Sequence, residues 1–336
     1  MRAKDLKDAI RLCIKSGQNL CISGAPAIGK TEIVKQVAYD IIKGIEGAEV
    51  HMFHPVTDDP SEYKGLGFPS ADRSYADFLP YGNLKKLIDA KVLTIVVIDD
   101  VGQAPFSVQA ALMQLIQEHN INSKKVSEYV RFILCTNRKA DKAAVQGLIE
   151  PVKSRCILVK MDVNDDDWRQ WAAQVGMPPE LIAFSKLRPN LLHDFKPTSD
   201  MTNSASPRGW AAVGILQNNG ITKNLEYEMF AGCNGEQFAA EYTAFLKTYR
   251  EMPNPQAWID NPEKELPTNE SVCYALASAL AYMATKKNVE AIFKVAMRLD
   301  AEYSTFLVFS MVQKNKNLAE NSGMAVWAKK YAPYLL

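Results

Sequence analysis

The sequence predicts a three-layer α/β domain built on a mostly parallel five-stranded sheet, with helices alone in the remainder of the chain. Three observations carry that prediction. Five short strand-like segments, Asn19–Ser23, Glu49–His54, Leu93–Ile98, Val130–Cys135 and Cys156–Lys160, alternate with segments of helical periodicity. The run Leu93–Ile98, Leu-Thr-Ile-Val-Val-Ile, lacks alternation, as a strand covered on both faces must. After about residue 162 the strand signal disappears.

In chain order, residues 3–16 place Leu6, Ile10 and Cys13 on one face of a helix. The first strand runs into a glycine-bounded turn, Gly24–Thr31, and Glu32–Ile42 is helical. After the second strand, residues 55–82 are rich in Pro, Asp, Gly and Tyr and read as irregular. Asn83–Ala90 is a short helix, and Ser107–His119 a longer one offering Ala110, Leu112, Met113 and Ile116 for packing. Beyond 162, helices are predicted at 165–175, 179–186, 207–217, 235–250, 270–285, 287–297 and 300–312, with breaks at Leu187–Thr202 and Pro253–Pro267. The sequence shows no repeat and no low-complexity tract.

Composition bounds the function. A chain of 336 residues has room for two or three domains, and 47% hydrophobic with 23% charged residues is ordinary for a soluble globular protein. Lys and Arg total 39 against 38 Asp and Glu, which argues against a strongly basic nucleic-acid binder while leaving a local basic patch open. The six cysteines, Cys13, Cys21, Cys135, Cys156, Cys233 and Cys273, include no CxxC pair and several lie in apolar runs, so buried free thiols in a reducing compartment are expected rather than a zinc site. No signal-peptide stretch opens the sequence and no apolar segment approaches the ~20 residues that span a bilayer. A cytoplasmic protein without membrane insertion is expected.

Gly24-Ala25-Pro26-Ala27-Ile28-Gly29-Lys30-Thr31 fits the phosphate-binding loop G-x-x-x-x-G-K-[ST]. Phosphate oxygens are met by backbone N–H groups, so the chain must approach closely and glycine is needed at the turns. The helix that follows directs its free N–H donors and positive dipole end at the anion. Lys30 adds a cation for the β- and γ-phosphates of ATP, and the Thr31 hydroxyl suits Mg²⁺, a hard ion that prefers oxygen. Chance would produce the four fixed positions in roughly one chain of this length in a hundred, and the flanking strand and helix lower that further.

Ile95-Val96-Val97-Ile98 ends in two carboxylates, Asp99 and Asp100. In the Walker B arrangement the first holds Mg²⁺, usually through water, and the second orients the attacking water. The plainer alternative is a helix cap or a solvated loop.

From here the sequence resembles the MoxR-type AAA+ ATPases, in the clade with an insertion in the second helix. The resemblance lies in Asp99 to Glu118, Cys135-Thr136-Asn137-Arg138, Gly147 to Arg155 and Ser206-Pro207-Arg208-Gly209-Trp210. Asp165-Asp166-Asp167-Trp168 and the stretch from Arg188-Pro189 to Phe195 are similar to a bacterial and phage subgroup. Most of residues 1–250 is covered, the final helices only weakly. The resemblance implies a nucleotide-binding AAA+ domain over 1–162, a helical lid over 163–250 and a C-terminal helical region over 251–336. It puts Asn137 at sensor 1, in reach of the γ-phosphate or the attacking water. Arg155 falls at the arginine finger, which acts on a neighbouring subunit's ATP, and Arg208 at sensor 2 on the lid. The alternatives are a strand-end turn residue for Asn137, a surface arginine for Arg155 with Lys153 or Arg138 in its role, and an ordinary first-turn arginine for Arg208.

Two departures stand out. The second Walker B acid is usually Glu, and Asp100 is one methylene shorter; errors of ~1 Å can cost ~10²-fold in rate. Slow hydrolysis, or a different approach for the water, is therefore expected. Ala27 replaces a glycine common in mid-loop.

The resemblance further implies a ring oligomer, by analogy a hexamer, paired with an adaptor carrying a von Willebrand factor A domain and acting on a protein client. A nucleic-acid motor or loader, and a nucleotide-gated assembly scaffold that hydrolyses little, are the other readings. Residues 58–68 face the pore in such rings; Tyr63, Lys64 and Leu66 between flexible glycines would form a grip, or the segment packs on its own subunit. Asn120–Glu128, with Lys124 and Lys125, is a weaker candidate. Tyr75, Phe78 and Tyr81 are expected to form a small local core. His51 and His54 are expected on a buried strand, without a metal.

Overall fold

A computed structural model describes residues 1–122, 124–141, 146–198, 200–331 and 333. Ser123 of the 120–128 segment, Ser199 of the 187–202 break, and residues 332 and 334–336 of the C-terminal region lie outside the described residues. The chain separates into two compact units, Met1–Val163 and Asn164–Leu336.

The first unit opens with α1 (Ala3–Ser16), which turns Leu6, Ile10, Cys13 and Ile14 inward and stops at Gly17, where φ is 67°. Then come β1 (Leu20–Gly24), α2 (Lys30–Ile42), β2 (Glu49–Phe53), α3 (Ser61–Lys64), β3 (Leu66–Pro69), β4 (Ala76–Leu79), α4 (Gly82–Asp89) and β5 (Thr94–Ile98). They are followed by α5 (Phe106–Glu118), β6 (Asn120–Ile121), β7 (Lys124–Lys125), β8 (Val130–Asn137), α6 (Glu150–Lys153) and β9 (Ile157–Lys160).

One sheet holds five strands, all parallel, in the order β2-β5-β8-β1-β9. In β5, Ile95 and Val97 pack with Leu6 and Ile10 of α1 and Val34 and Val37 of α2. Val96 and Ile98, pointing the other way, pack with Leu84 and Leu87 of α4 and Leu112, Leu115 and Ile116 of α5. These are the three layers, and they explain why β5 shows no alternation: all five of its residues are buried. Each such aliphatic side chain stabilises the fold by about 1.5–3 kcal/mol relative to exposure.

Several expectations are corrected. β2 is an edge strand and only Phe53 on it is fully buried, so His51 is half-buried and His54 is exposed. Residues 55–82 contain α3 and an antiparallel hairpin, β3 paired with β4. Both faces of the hairpin are exposed, because no layer lies against it. Tyr75 and Phe78 are therefore solvent-facing, and no local core forms around them. Tyr63 is the reverse case. Its ring is 2% exposed and lies edge-on to Phe53, and its hydroxyl donates to Asp58, so it is core and not a grip. On α5 the inward residues are Val108, Gln109, Ala111, Leu112, Leu115 and Ile116, while Ala110 is exposed.

The second unit comprises α7 (Asp165–Gln174), α8 (Pro179–Leu187), α9 (Pro207–Asn218), α10 (Lys223–Asn234), α11 (Glu236–Glu251), α12 (Gln256–Asp260), α13 (Glu270–Met283), α14 (Val289–Ala296), α15 (Ala301–Lys314) and α16 (Ser322–Tyr331). Trp210 of α9 stacks on Phe184 and meets Trp168 and Phe238 edge-on, and its indole N–H donates to the Leu191 carbonyl at 2.7 Å. α13 is buried all round from Cys273 to Ala281. The sequence reading missed α10, α16 and, inside the break at Pro253–Pro267, the five-residue α12, which is too short for a periodic signal. α10 buries only Glu226, Phe230 and Asn234, two of them polar, so its burial is periodic and its hydropathy is not. α16 buries only Trp327 and Tyr331. Among the described residues no helix is long and apolar enough to cross a membrane.

Candidate active site

The turn between β1 and α2 is shaped by close approach and by left-handed backbone. A Cβ on Gly24 would lie 2.8 Å from the Met161 carbonyl oxygen and from Ile28 Cδ1, so only glycine fits. Gly29, the residue before α2, has φ of 95°. Ala27 has φ of 59°, which costs an ordinary L-residue about 1–2 kcal/mol. No side chain caps α2, so its first-turn N–H donors face the turn without a side-chain acceptor.

Lys30 is only 6% exposed, and a buried ammonium is tolerable only with oxygen partners. It donates to the carbonyls of Gly24 (3.1 Å) and Ala25 (2.8 Å) and to Asn137 Oδ1 (2.6 Å). Asn137 Nδ2 reaches Asp100 Oδ1 at 3.3 Å. The Thr31 hydroxyl donates to Asp99 Oδ1 at 2.7 Å, and the Asp100 backbone N–H donates to the same oxygen at 3.1 Å.

Sheet order brings these groups together. β8 lies between β1 and β5, with Gly24 opposite Asn137 and Ile98 opposite Leu134. β8 thus runs on past the end of β5, and its last residue lands between the lysine of one neighbour and the carboxylates of the other. This is the carboxyl end of the sheet, where ligands of such folds bind. Beneath it, burial and then the negative charge of Asp99 push the Cys135 thiol up to about 12, so it is an inert, protonated group near neutral pH.

The Thr31 hydroxyl and Asp99 carboxylate fit Mg²⁺ in donor chemistry: hard oxygens, one of them charged. Among the described residues no group of three or more His, Cys, Asp or Glu is placed to hold a metal. Phosphate and water oxygens would therefore supply most of the shell.

Arg155 lies elsewhere. It precedes β9, whose first N–H, on Ile157, donates to Asn19, the residue before β1. Arg155 is therefore at the amino end of the sheet, roughly 15 Å from the loop by the rise of β1. Its Nη1 donates to the Pro151 carbonyl (2.7 Å) and Ser154 Oγ (3.1 Å). Of the alternatives, Arg138 is held by both oxygens of Asp141 at 2.8 Å, and Lys153 pairs with Glu150. Arg208 is exposed in the first turn of α9, in the second unit.

One supporting residue escaped the sequence reading. Gln109 is fully buried and bonds Ala104 O (3.0 Å), Gly147 O (2.9 Å) and Ile149 N (3.0 Å), fastening the segment that leads to Arg155. A polar residue between Val108 and Ala111 was the available signal.

No family model matches this sequence, and no curated protein matches it. Among solved structures, the chain is similar to the RuvB Holliday junction branch migration motor of Thermotoga maritima, with 11% identity over 82% of this chain and 81% of that one and a TM-score of 0.40. It is similar to a DNA polymerase III gamma subunit-related protein of the same organism, with 12% identity over 98% of each chain and a TM-score of 0.33. It is also similar to replication initiator DnaA bound to AMPPCP and single-stranded DNA, with 12% identity over 97% and 92% and a TM-score of 0.36. The fold that the structure itself shows is a five-stranded parallel α/β sheet layered with helices, followed by a helical second unit. Likenesses this distant carry no argument about activity or partner.

Proposed function

We propose that the chain binds Mg-ATP at the Gly24–Thr31 turn and hydrolyses it, as a MoxR-type AAA+ ATPase that remodels or assembles a protein client. One observation carries this reading. Three adjacent strands deliver an ammonium, an amide and two carboxylates to a single point, with a hydroxyl already on one carboxylate.

In this reading Lys30 exchanges its bonds to the Gly24 and Ala25 carbonyls for oxygens of the β- and γ-phosphates. Thr31 and, through water, Asp99 would hold Mg²⁺, which would supply positive charge to neutralise the phosphates. Asp100 holds the attacking water, and Asn137, touching both Lys30 and Asp100, fixes the distance between nucleotide and nucleophile. Arg155 cannot reach the loop of its own chain, which supports a role on a neighbour's ATP in a ring, by analogy a hexamer. Arg208 senses the γ-phosphate. The exposed hairpin, with Leu66, Phe68, Phe78 and Leu79 in solvent, is the element assigned to the client. An adaptor with a von Willebrand factor A domain completes the reading by analogy.

Calorimetry of the folded chain with ATP, with and without Mg²⁺, tests the core of the proposal; no Mg-dependent heat of binding would sink it. Mixing tests the ring. Arg155→Ala and Asp100→Asn chains, each inactive alone, should partly restore phosphate release when combined, because some interfaces then pair an intact finger with an intact Asp100. No restoration, with both variants oligomeric, removes Arg155 from the site.

A further inference from the structure

We propose that Asn234 is a positioning residue for Arg208. The inference rests on the reading of Arg208 as the γ-phosphate sensor and adds the group that holds it in place. A long, exposed arginine is aimed only as well as its backbone is fixed. Arg208 belongs to the turn Ser206-Pro207-Arg208-Gly209, and this turn is bolted to the corner between α10 and α11.

Asn234, the last residue of α10, is 3% exposed and accepts the Ser206 backbone N–H on Oδ1 at 3.1 Å. Ser206 in turn caps α9, its Oγ accepting the Gly209 N–H at 3.2 Å. Gly209 sits so close to the corner that a Cβ there would lie 2.2 Å from Asn234 Oδ1 and 2.5 Å from the Cys233 carbonyl oxygen. The segment entering the turn is gripped as well. Asn203 Nδ2 donates to the Gly232 carbonyl at 2.6 Å, and a Cβ on Gly235 would lie 2.8 Å from the Asn203 carbonyl oxygen.

The orientation of the Asn234 amide is decided by its partner, since only the oxygen can face the Ser206 N–H. Its Nδ2 finds no hydrogen-bond partner among the described residues, so the bond to Ser206 is what the buried amide contributes. Asn234 is also one of three buried residues on α10. It therefore joins the end of α10 to the turn that carries Arg208, and a shift of that corner moves Arg208.

The test is a double-mutant cycle on the full chain. Phosphate release at saturating Mg-ATP is measured for Arg208→Ala, Asn234→Ala, the double variant and Asn234→Asp, with circular dichroism and tryptophan emission reporting the fold. Each single alanine variant is expected to lower kcat about tenfold, and Asn234→Ala to add less than about twofold in the Arg208→Ala background. Asn234→Asp keeps the acceptor and puts its charge at a helix N-terminus, so kcat should stay within about threefold of the parent. An equal loss in both backgrounds, or no loss in the parent background, overturns the inference. If Asn234→Ala does not fold, Asn234→Asp decides: a folded variant with kcat down about tenfold overturns it as well. Parent-like turnover by Arg208→Ala is the separate outcome in which the sensor assignment itself falls.

Discussion

Asp100→Glu should make this chain worse, although Glu is the usual residue at that place in proteins it resembles. Asp100 has φ of 53° and ψ of 32°, in the left-handed region. Asp tolerates that region; a longer side chain costs about 1–2 kcal/mol there. For a unit of this size the cost corresponds to a Tm lower by roughly 2–8 °C. The added methylene also moves the carboxylate by about 1.5 Å, one C–C bond, and upsets its contact with Asn137. A displacement above ~1 Å is worth ~10²-fold in rate. Asp100→Asn is the control, because it keeps the left-handed backbone and removes only the charge. Phosphate release, nucleotide titration and thermal unfolding are measured on all three chains. Asp100→Glu should bind Mg-ATP within a few-fold of the parent, turn over about 10²-fold more slowly and melt earlier. Asp100→Asn should lose turnover without the loss in Tm. Refutation is an Asp100→Glu chain that hydrolyses as fast as the parent, or faster, at an unchanged Tm.

Lys30→Ala removes at least two charge-assisted bonds worth ~1.5–3 kcal/mol each, so calorimetry should find Mg-ATP affinity about 10²-fold weaker or lost. Tyr63→Ala should destabilise the fold by about 3–5 kcal/mol in denaturant unfolding, whereas Phe68→Ala, 59% exposed, should stay within about 0.5 kcal/mol. Equal effects would contradict the placement of the two rings. Burial, then the charges of Arg131 and Lys125, hold His119 below its usual value. The unfolded chain then takes up more protons as pH falls through about 6.5, so this contribution to stability is present above that pH and lost below it. His119→Asn suits the φ of 48° and should show a smaller fall in Tm between pH 7.5 and 5.5 than the parent. An identical fall in both would exclude His119 as its source.

Local chemistry made much of the candidate site legible. The loop declares itself because glycine, lysine and threonine are each needed at fixed offsets, and the carboxylates because they end an apolar run. The hairpin was not legible: Tyr75 and Phe78 look like core residues in sequence, and nothing local says that no layer covers them. Tyr63 has the same composition signal and is buried, since Phe53 on β2 happens to face it. α10 stayed hidden because two of its three inward positions are Glu226 and Asn234.

The sequence by itself determined that there is a parallel α/β sheet, where its strands fall, and which turn is the candidate for holding a phosphate. Those features rest on short-range rules: side-chain period, glycine at left-handed or crowded positions, and an ammonium near free N–H groups. Strand order is a long-range choice that no local pattern encodes. Only the tertiary structure set β8 between β1 and β5, putting Asn137 in contact with both Lys30 and Asp100, and left Arg155 at the far end of the same sheet. Contacts between residues a hundred positions apart are decided by which strands share a core, and that depends on the packing of the whole unit.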